Sequence, residues 1–577
     1  MEAAIVRIST NTENNSSESL STSSSGNLAN NSSMSSAINL AHYSFAHSQQ
    51  LRHIETPTSH ILVFGTIQHQ WFYDDHSTEE QFCQKQYQTT FYQQLNGHFS
   101  LVIIAKNENK IRLVANRSGG FRLHCLMENN EIIISNNLQA LNIEQPNFDR
   151  TALRETLEYR WNSGESSLLF GVNLLPSSCY WDIENTNIVS KQYYALFPVP
   201  VKEQNTIEQQ ALQTSDLLTQ AMVDAVKPNS KVAVLLSGGV DSSVLAALAS
   251  KKIANLVAIS HRSPEHGNPE LDTAITFAKE LGIAHRIIEV SDDDIKKAFV
   301  AVTKIIEQPP RYQSSLILYT IFQAIGEDFD QILYGEAADT LFGTSLVKRW
   351  KLRQHKQTKL ASVGRYIPFI QPLINLLPDS NKFKLLQNEN LESYALSSSR
   401  LSLSENAERH INRWAPKKQA LRVLSHLISS ENTDNIAPAT VDLAKLKSFL
   451  MRTDRDNHFH ETGVIANQFG LELISPFVDY RVINYAAKLQ DDSYFGQDFV
   501  KPILRKIGEQ YFTPELMYLP KLGFPAPHEI WMKGVLQSFW QDAKQHFSLH
   551  EDYENDVEFK WTMASLAILA QHLHIED

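Results

Sequence analysis

Two patterns of hydrophobic and polar positions run along this chain. From Ser59 to about Leu196, short β-branched runs (ILVFGTI, FSLVIIA, KIRLVAN, EIIIS) are separated by polar clusters such as KNENK and MENNE, which predicts strands joined by tight turns. Helical spacing appears between and after them, over 79–95 and 151–161. Consecutive strands with a few helices predict an α+β domain of stacked antiparallel sheets. After the proline-punctuated link FPVPVKEQN (197–205) the pattern changes. TIEQQALQTSDLLTQAMVDAV is helical, and KVAVLLSGGVDSSVLAALAS reads as strand, glycine turn and helix. NLVAISH is a strand, LDTAITFAKELG a helix, HRIIEV a strand, and QILYGEAADTLFG again a strand ending in a polar turn. Apolar strands alternating with amphipathic helices predict an α/β domain with a doubly wound parallel sheet. Beyond Gly343 the pattern is mainly helical. Residues 12–38 are almost purely Ser, Asn, Thr, Gly and Ala, with too little apolar surface to offset ordering entropy, so a disordered stretch is expected there. The expected organisation is therefore two domains, 1–196 and 206–577, with a linker at 197–205 and a helical insert at about 344–440.

Composition narrows the class. A 42% hydrophobic share over 577 residues is enough for real cores. Fifty-two Lys and Arg against 64 Asp and Glu, a net charge of −12, argue against a nucleic-acid backbone as partner, because counterion release needs clustered cations. No apolar run approaches the ~20 residues of a membrane span; the best, around Phe369–Pro378, is ten long and broken by prolines. MEAAIVRIST lacks the basic flank and apolar stretch of a signal peptide. Three cysteines (Cys83, Cys125, Cys179) with no CxxC pair make neither a disulfide framework nor a zinc site. A soluble, cytoplasmic, multidomain enzyme is expected.

The sharpest chemical signal is LLSGGVDSS, with Ser237, Gly238, Gly239, Asp241, Ser242 and Ser243. Small residues at the end of a buried strand let the backbone approach a polyanion, and the following helix offers free N–H groups and its dipole. Asp241 repels phosphate unless Mg²⁺ stands between them, and no lysine follows the glycines, so this is not the GxxxxGK[ST] loop. A second signal is LYGEAADTLFG, in which Gly335, Glu336 and Asp339 fall on the carboxyl edge where open α/β sheets bind ligands. The loop resembles the SGGxDS loop of the N-type ATP pyrophosphatase superfamily, which holds the pyrophosphate of ATP during adenylation. The second stretch resembles the SGEGxDE-FGG signature of asparagine synthetases, with Ala337 for a glycine and Thr340 for the final acid. That resemblance implies that Asp339, with Asp241, binds Mg²⁺, and that Glu336 supports the adenylate and the incoming amine.

Further segments resemble the same family. LELISPFVDYRV (471–482) resembles LE-R-PFLD-R with Ile474 for the usual Arg, QDFVKPILRK resembles the K-ILR helix with Lys501 and Arg505, and PKLGFPAPHEIW resembles the K-GF-P-W tail with Lys521. Lysines there could stabilise charge developing on an acyl-adenylate or could be surface charges. Ser260 matches the position of the family's adenine pocket. In the amino-terminal half, LNGHFSLVII resembles the L-G-F-A segment, and ANRSGGFRLHCL resembles the RD-LG-PLYY turn with Asn116–Arg117 in place of Arg–Asp. The family's glutaminase needs an N-terminal Cys; here residue 2 is Glu2 and the first cysteine is Cys83, so a degenerate glutaminase domain is expected.

β-Lactam-forming synthetases and lasso-peptide macrolactam cyclases share that loss, and the former carry Tyr where Glu336 stands. Asp339 and Asp479 are 140 positions apart, with the basic VKRWKLRQHKQTK and the serine-rich SYALSSSRLSLSENAE between them. That added mass suits a peptide substrate or is a decorated surface bundle. HFHETG (458–463) lacks the HExxH spacing and reads as solvated histidines. The resemblance implies ATP and Mg²⁺ as cofactors and an acyl-adenylate reaction. The leading reading is peptide macrolactam formation alongside a leader-binding protein and a leader protease. An ammonia-dependent asparagine synthetase acting on a small carboxylate, and a non-catalytic nucleotide-binding regulator, are the alternatives.

Overall fold

This computed structural model describes residues 5–9, 37–40, 43–46, 51–194, 205–352, 400–414, 438–495, 499–520 and 526–575, less gaps at 107, 109, 129–130, 163–164, 185–186, 345, 351, 402, 453–455, 490, 551–552 and 554–555. The β-rich half forms two six-stranded antiparallel sheets. One runs in the spatial order Val172–Leu174, His124–Glu128, Glu131–Ser135, Ile5–Ser9, Tyr43–Ala46, Ala37–Leu40. The other runs Asn187–Gln192, Cys179–Glu184, Lys110–Ala115, Gly97–Ala105, Ser59–Ile67, Leu51–Glu55. Gly97–Ala105 (GHFSLVIIA) is buried at every position, as a strand covered on both faces must be. The strands before Ser59 lie outside the sequence expectation. Ala37 and Ile38, the only described residues of the stretch expected to be disordered, open one of them.

The second half is a five-stranded parallel sheet in the order Ala284–Glu289, Val257–Arg262, Val232–Leu235, Gln331–Leu333, Glu472–Ile474. Counted along the chain this is 3-2-1-4-5, so the order reverses between Val232–Leu235 and Gln331–Leu333. The crevice beyond the carboxyl ends of those two strands is where such sheets bind ligands. Helix Ile207–Ala225 starts at a capping box made by Thr206 and Gln209. The last helix, Val557–Leu573, packs on Asp292–Ile306 through Trp561 against Phe299 at 4.9 Å. One continuous hydrophobic cluster runs from Val6 to Leu569, so both halves share a core.

Of the expected linker only Asn205 is described. The insert contributes helix Glu405–Trp414, and helix Pro438–Leu450 begins at its end, while most of 347–359 and half of the serine-rich run lie outside the described residues. Among the described residues no helix is long and apolar enough to cross a membrane.

Candidate active site

Strand Val232–Leu235 delivers the chain into the loop at Ser237, and Gly239 opens helix Val240–Ser250 with no side-chain cap. Its first-turn N–H groups are thereby left for a ligand. Gly238 has φ +89°, and a Cβ there would stand 2.5 Å from the Glu270 carbonyl, so only glycine fits. Ser237 and Ser242 hydroxyls lie 3.1 Å apart, and Ser242 Oγ donates to the Gly239 carbonyl. Ser243 does not join them. It is fully buried, its hydroxyl donates to the Val240 carbonyl and its N–H to Gly239, so the helix consumes both groups that were expected to hold pyrophosphate.

Across the crevice, the turn after Gln331–Leu333 presents Gly335, where a Cβ would stand 3.5 Å from the Cβ of Asp241. Asp241 and Asp339 meet at one cation: Lys501 Nζ lies 2.7 and 2.5 Å from the Asp241 oxygens and 2.6 Å from Asp339 Oδ1. Lys501 is buried while both aspartates keep partial access to solvent. Two carboxylates converging on one point, with an open side, fit Mg²⁺, which takes one or two carboxylates and fills its other positions with water and phosphate oxygens.

A cleft of about 210 Å³ is lined by Leu235–Ser242, Ser260, Tyr334, Gly335, Lys501 and Arg505 together with apolar side chains. Ser260 stands in its wall, but its hydroxyl donates to the Leu236 carbonyl at 2.5 Å and sits 2.8 Å from His285 Nε2, so it is already engaged. Arg505 is held by the Val500 and Met517 carbonyls, and burial lowers its pKa. Leu519 and Pro520 reach the cleft, while Lys521 lies outside the described residues. Glu336 is buried, with Oε2 in ion-pair contact with Nδ1 of His458.

His458 and its neighbours correct another expectation. His458, His460 and Glu461 are buried rather than solvated, because helix Asp456–Gln468 packs between the two halves. His460 Nδ1 donates to the Gly120 carbonyl at 2.7 Å, and His98 Nε2 donates to the Phe459 carbonyl at 2.6 Å. Burial holds His460 well below the usual histidine range. Glu461 accepts from Ser315 Oγ and the Arg311 N–H, and burial raises its pKa. Among the described residues no group of three or more His, Cys, Asp or Glu side chains could hold a metal.

In the amino-terminal half, Arg117 is buried and bonds the Leu95 carbonyl, the Asn96 side chain and, at 3.0 Å, the Val478 carbonyl of the other half. Asn96 Nδ2 donates in turn to Asp479 at 2.6 Å. Arg117, one of the two residues that replace an Arg–Asp pair, thus latches the halves together with Asn96. Burial pushes the Cys125 thiol up to about 12, far from a thiolate at neutral pH.

A family model described as asparagine synthase matches residues 213–553, and one described as a glutamine amidotransferase domain matches 81–194. The glutamine-hydrolyzing asparagine synthetase 1 of Bacillus subtilis is 21% identical over 472 residues, spanning 80% of this chain and 73% of that one. A putative glutamine-hydrolyzing asparagine synthetase of Mycobacterium bovis is 22% identical over 397 residues, 67% of this chain and 59% of that one. Among solved structures, an NMN synthetase from Francisella tularensis superposes with TM-score 0.19 at 16% identity, covering 37% of this chain and 93% of that one, a score too low to say anything about fold.

Proposed function

This chain belongs to the asparagine synthase family, and from that premise we propose that it uses Mg–ATP to join a peptide carboxylate to that peptide's own amino terminus. It is a carbon–nitrogen ligase that releases AMP and pyrophosphate. What supports adenylation most directly is that Asp241 and Asp339, from the loops after adjacent strands, converge on one buried cation at the sheet's reversal point.

In this reading a substrate carboxylate oxygen attacks the α-phosphorus of ATP, its bond to the bridging oxygen breaks, and pyrophosphate leaves with the electron pair. Ser237, Gly238, Gly239 and Ser242, with the uncapped N–H groups of helix Val240–Ser250, hold the departing anion. Asp241 and Asp339 would hold Mg²⁺, which when bound neutralises phosphate charge and orients the leaving group. Lys501 remains beside the phosphates as a fixed positive charge, with Lys521 proposed as its counterpart. The amine then attacks the acyl carbon beside Glu336, and AMP departs. Glutamine is not the proposed nitrogen source, since Arg117 occupies the turn where the amidotransferase pattern expects an acid. The peptide reading brings with it a leader-binding protein and a leader protease.

The likeness to the Bacillus subtilis synthetase over 80% of this chain favours one second reading, asparagine synthesis from free ammonia. The test is AMP and pyrophosphate release from Mg–ATP with aspartate plus ammonium, and separately with a short peptide carrying a free amino terminus and an internal aspartate. Asp241→Ala is the control in both. Loss of one water from the peptide, detected by mass, is the expected result; asparagine-coupled AMP release instead would leave a small-molecule synthetase. No release with either substrate removes the ligase reading.

A further inference from the structure

His458 is a buried imidazole that neither the ATP-binding loop nor the expected metal pair uses. Its Nδ1 lies in ion-pair contact with Glu336 Oε2, and neither ring nitrogen completes a well-aligned hydrogen bond among the described residues. The ring packs against Tyr312 at 4.3 Å and Tyr334 at 5.8 Å between centroids, and Tyr334 lines the cleft. An ionised carboxylate can only accept a hydrogen bond, so Glu336 fixes the proton of a neutral imidazole on Nδ1 and leaves the lone pair on Nε2. That is the relation in which a carboxylate orients a histidine base. The other ionisable groups facing His458 are the hydroxyls of Tyr312 and Tyr334 and, three residues along its own helix, Glu461, whose partners are Ser315, Gln308 and the Arg311 N–H. Arg122, bonded to Asn457 at 2.5 Å, and Arg311, 5.7 Å from the centre of the Tyr312 ring, are nearby cations among the described residues.

We propose that His458 is the base of the amide-forming half-reaction and that Glu336 is its positioning residue, an inference that rests on the ligase reading above. As the amine nitrogen bonds to the acyl carbon, the carbon–oxygen bond to the adenylate breaks and AMP leaves with the electron pair. The amine proton passes to Nε2 of His458, and the resulting imidazolium is stabilised by Glu336. Adenylation needs no such base, because the attacking carboxylate carries no proton.

The two half-reactions are therefore separable in the full-length protein. Exchange of labelled pyrophosphate into ATP reads adenylation, and product mass reads amide formation, with L-aspartate plus ammonium and with the internal-aspartate peptide as probes. His458→Asn keeps a donor for Glu336 but lacks Nε2. It is expected to hold exchange within about twofold while amide formation falls about a hundredfold or more and loses its pH-dependent limb. Glu336→Gln, which no longer fixes the tautomer, is expected to lower amide formation by a similar factor. Parallel loss of exchange and product in His458→Asn, or an unchanged product rate, overturns the assignment. Absence of exchange in the unaltered protein with both probes instead overturns the ligase reading and this inference with it.

Discussion

Ala337 and Lys501 flank the site with φ of +71° and +61°, in the left-handed region where a side chain is strained. Ala337 stands where the family signature has glycine, so Ala337→Gly is expected to stabilise the fold by about 1 kcal/mol, read as a higher Tm. Lys501→Met leaves Asp241 and Asp339 facing each other. Allowing for the partial exposure of both carboxylates, a loss of about 1–3 kcal/mol is expected. Millimolar Mg²⁺ should restore part of it in a thermal melt; no difference between melts with and without Mg²⁺ would count against a shared cation position. The SGGVDSS loop is legible from sequence because turn, strand end and helix start are all local. The role of Lys501 is not, since it contacts Asp241 from 260 residues away and shows in the sequence only through the K-ILR resemblance. Nor is it legible that Ser243 turns its hydroxyl back to the Val240 carbonyl, because a hydroxyl's direction within a helix's first turn leaves no trace in the letters.

Helix Asp456–Gln468 shows the same limit one level up. HFHETG looks polar, yet the apolar run Val464–Ala466 directly after it continues the same buried helix, and that is the signal the letters offer. At Gly463 an added Cβ would stand 1.9 Å from the His98 ring, which is itself held by the Phe459 carbonyl. Gly463→Ala should therefore destabilise the protein, although alanine is the better helix former by about 1 kcal/mol, and a chemical melt decides the sign. Burial also lowers His98 to about 4 and His124 to about 3. Folded values below the unfolded 6.5 mean that stability is complete above pH 6.5 and is lost as pH falls toward about 4, while the unfolded chain takes up protons that the fold refuses. The expected slope approaches 1.4 kcal/mol per pH unit for each imidazole; equal urea midpoints at pH 7.5 and 5 would contradict it.

The two halves behave as one body because their boundary is dense with polar bonds around a shared core. Gln68 donates to the Leu473 carbonyl at 2.6 Å, Tyr194 to Asn484 at 2.7 Å, and Glu307 accepts from the Leu138 and Gln139 N–H groups. Arg117→Met would strand the Leu95 and Val478 carbonyls, and a loss of about 2–4 kcal/mol is expected, with the single thermal transition broadening or splitting in calorimetry. The alternation of strands and helices makes both architectures legible, whereas the short strands at 5–9, 37–40, 43–46 and 51–55 are each too brief to stand out without their partners. Position along the chain carries one more consequence. Gln331–Leu333 gains its outer neighbour, Glu472–Ile474, only 139 residues later. At a ribosomal pace of about 5–20 residues per second, that edge waits roughly 7–28 s for cover during synthesis. Lys501 emerges later still, so a nascent or prematurely terminated chain carries both aspartates without the lysine between them, and the centre is completed only as translation nears its end.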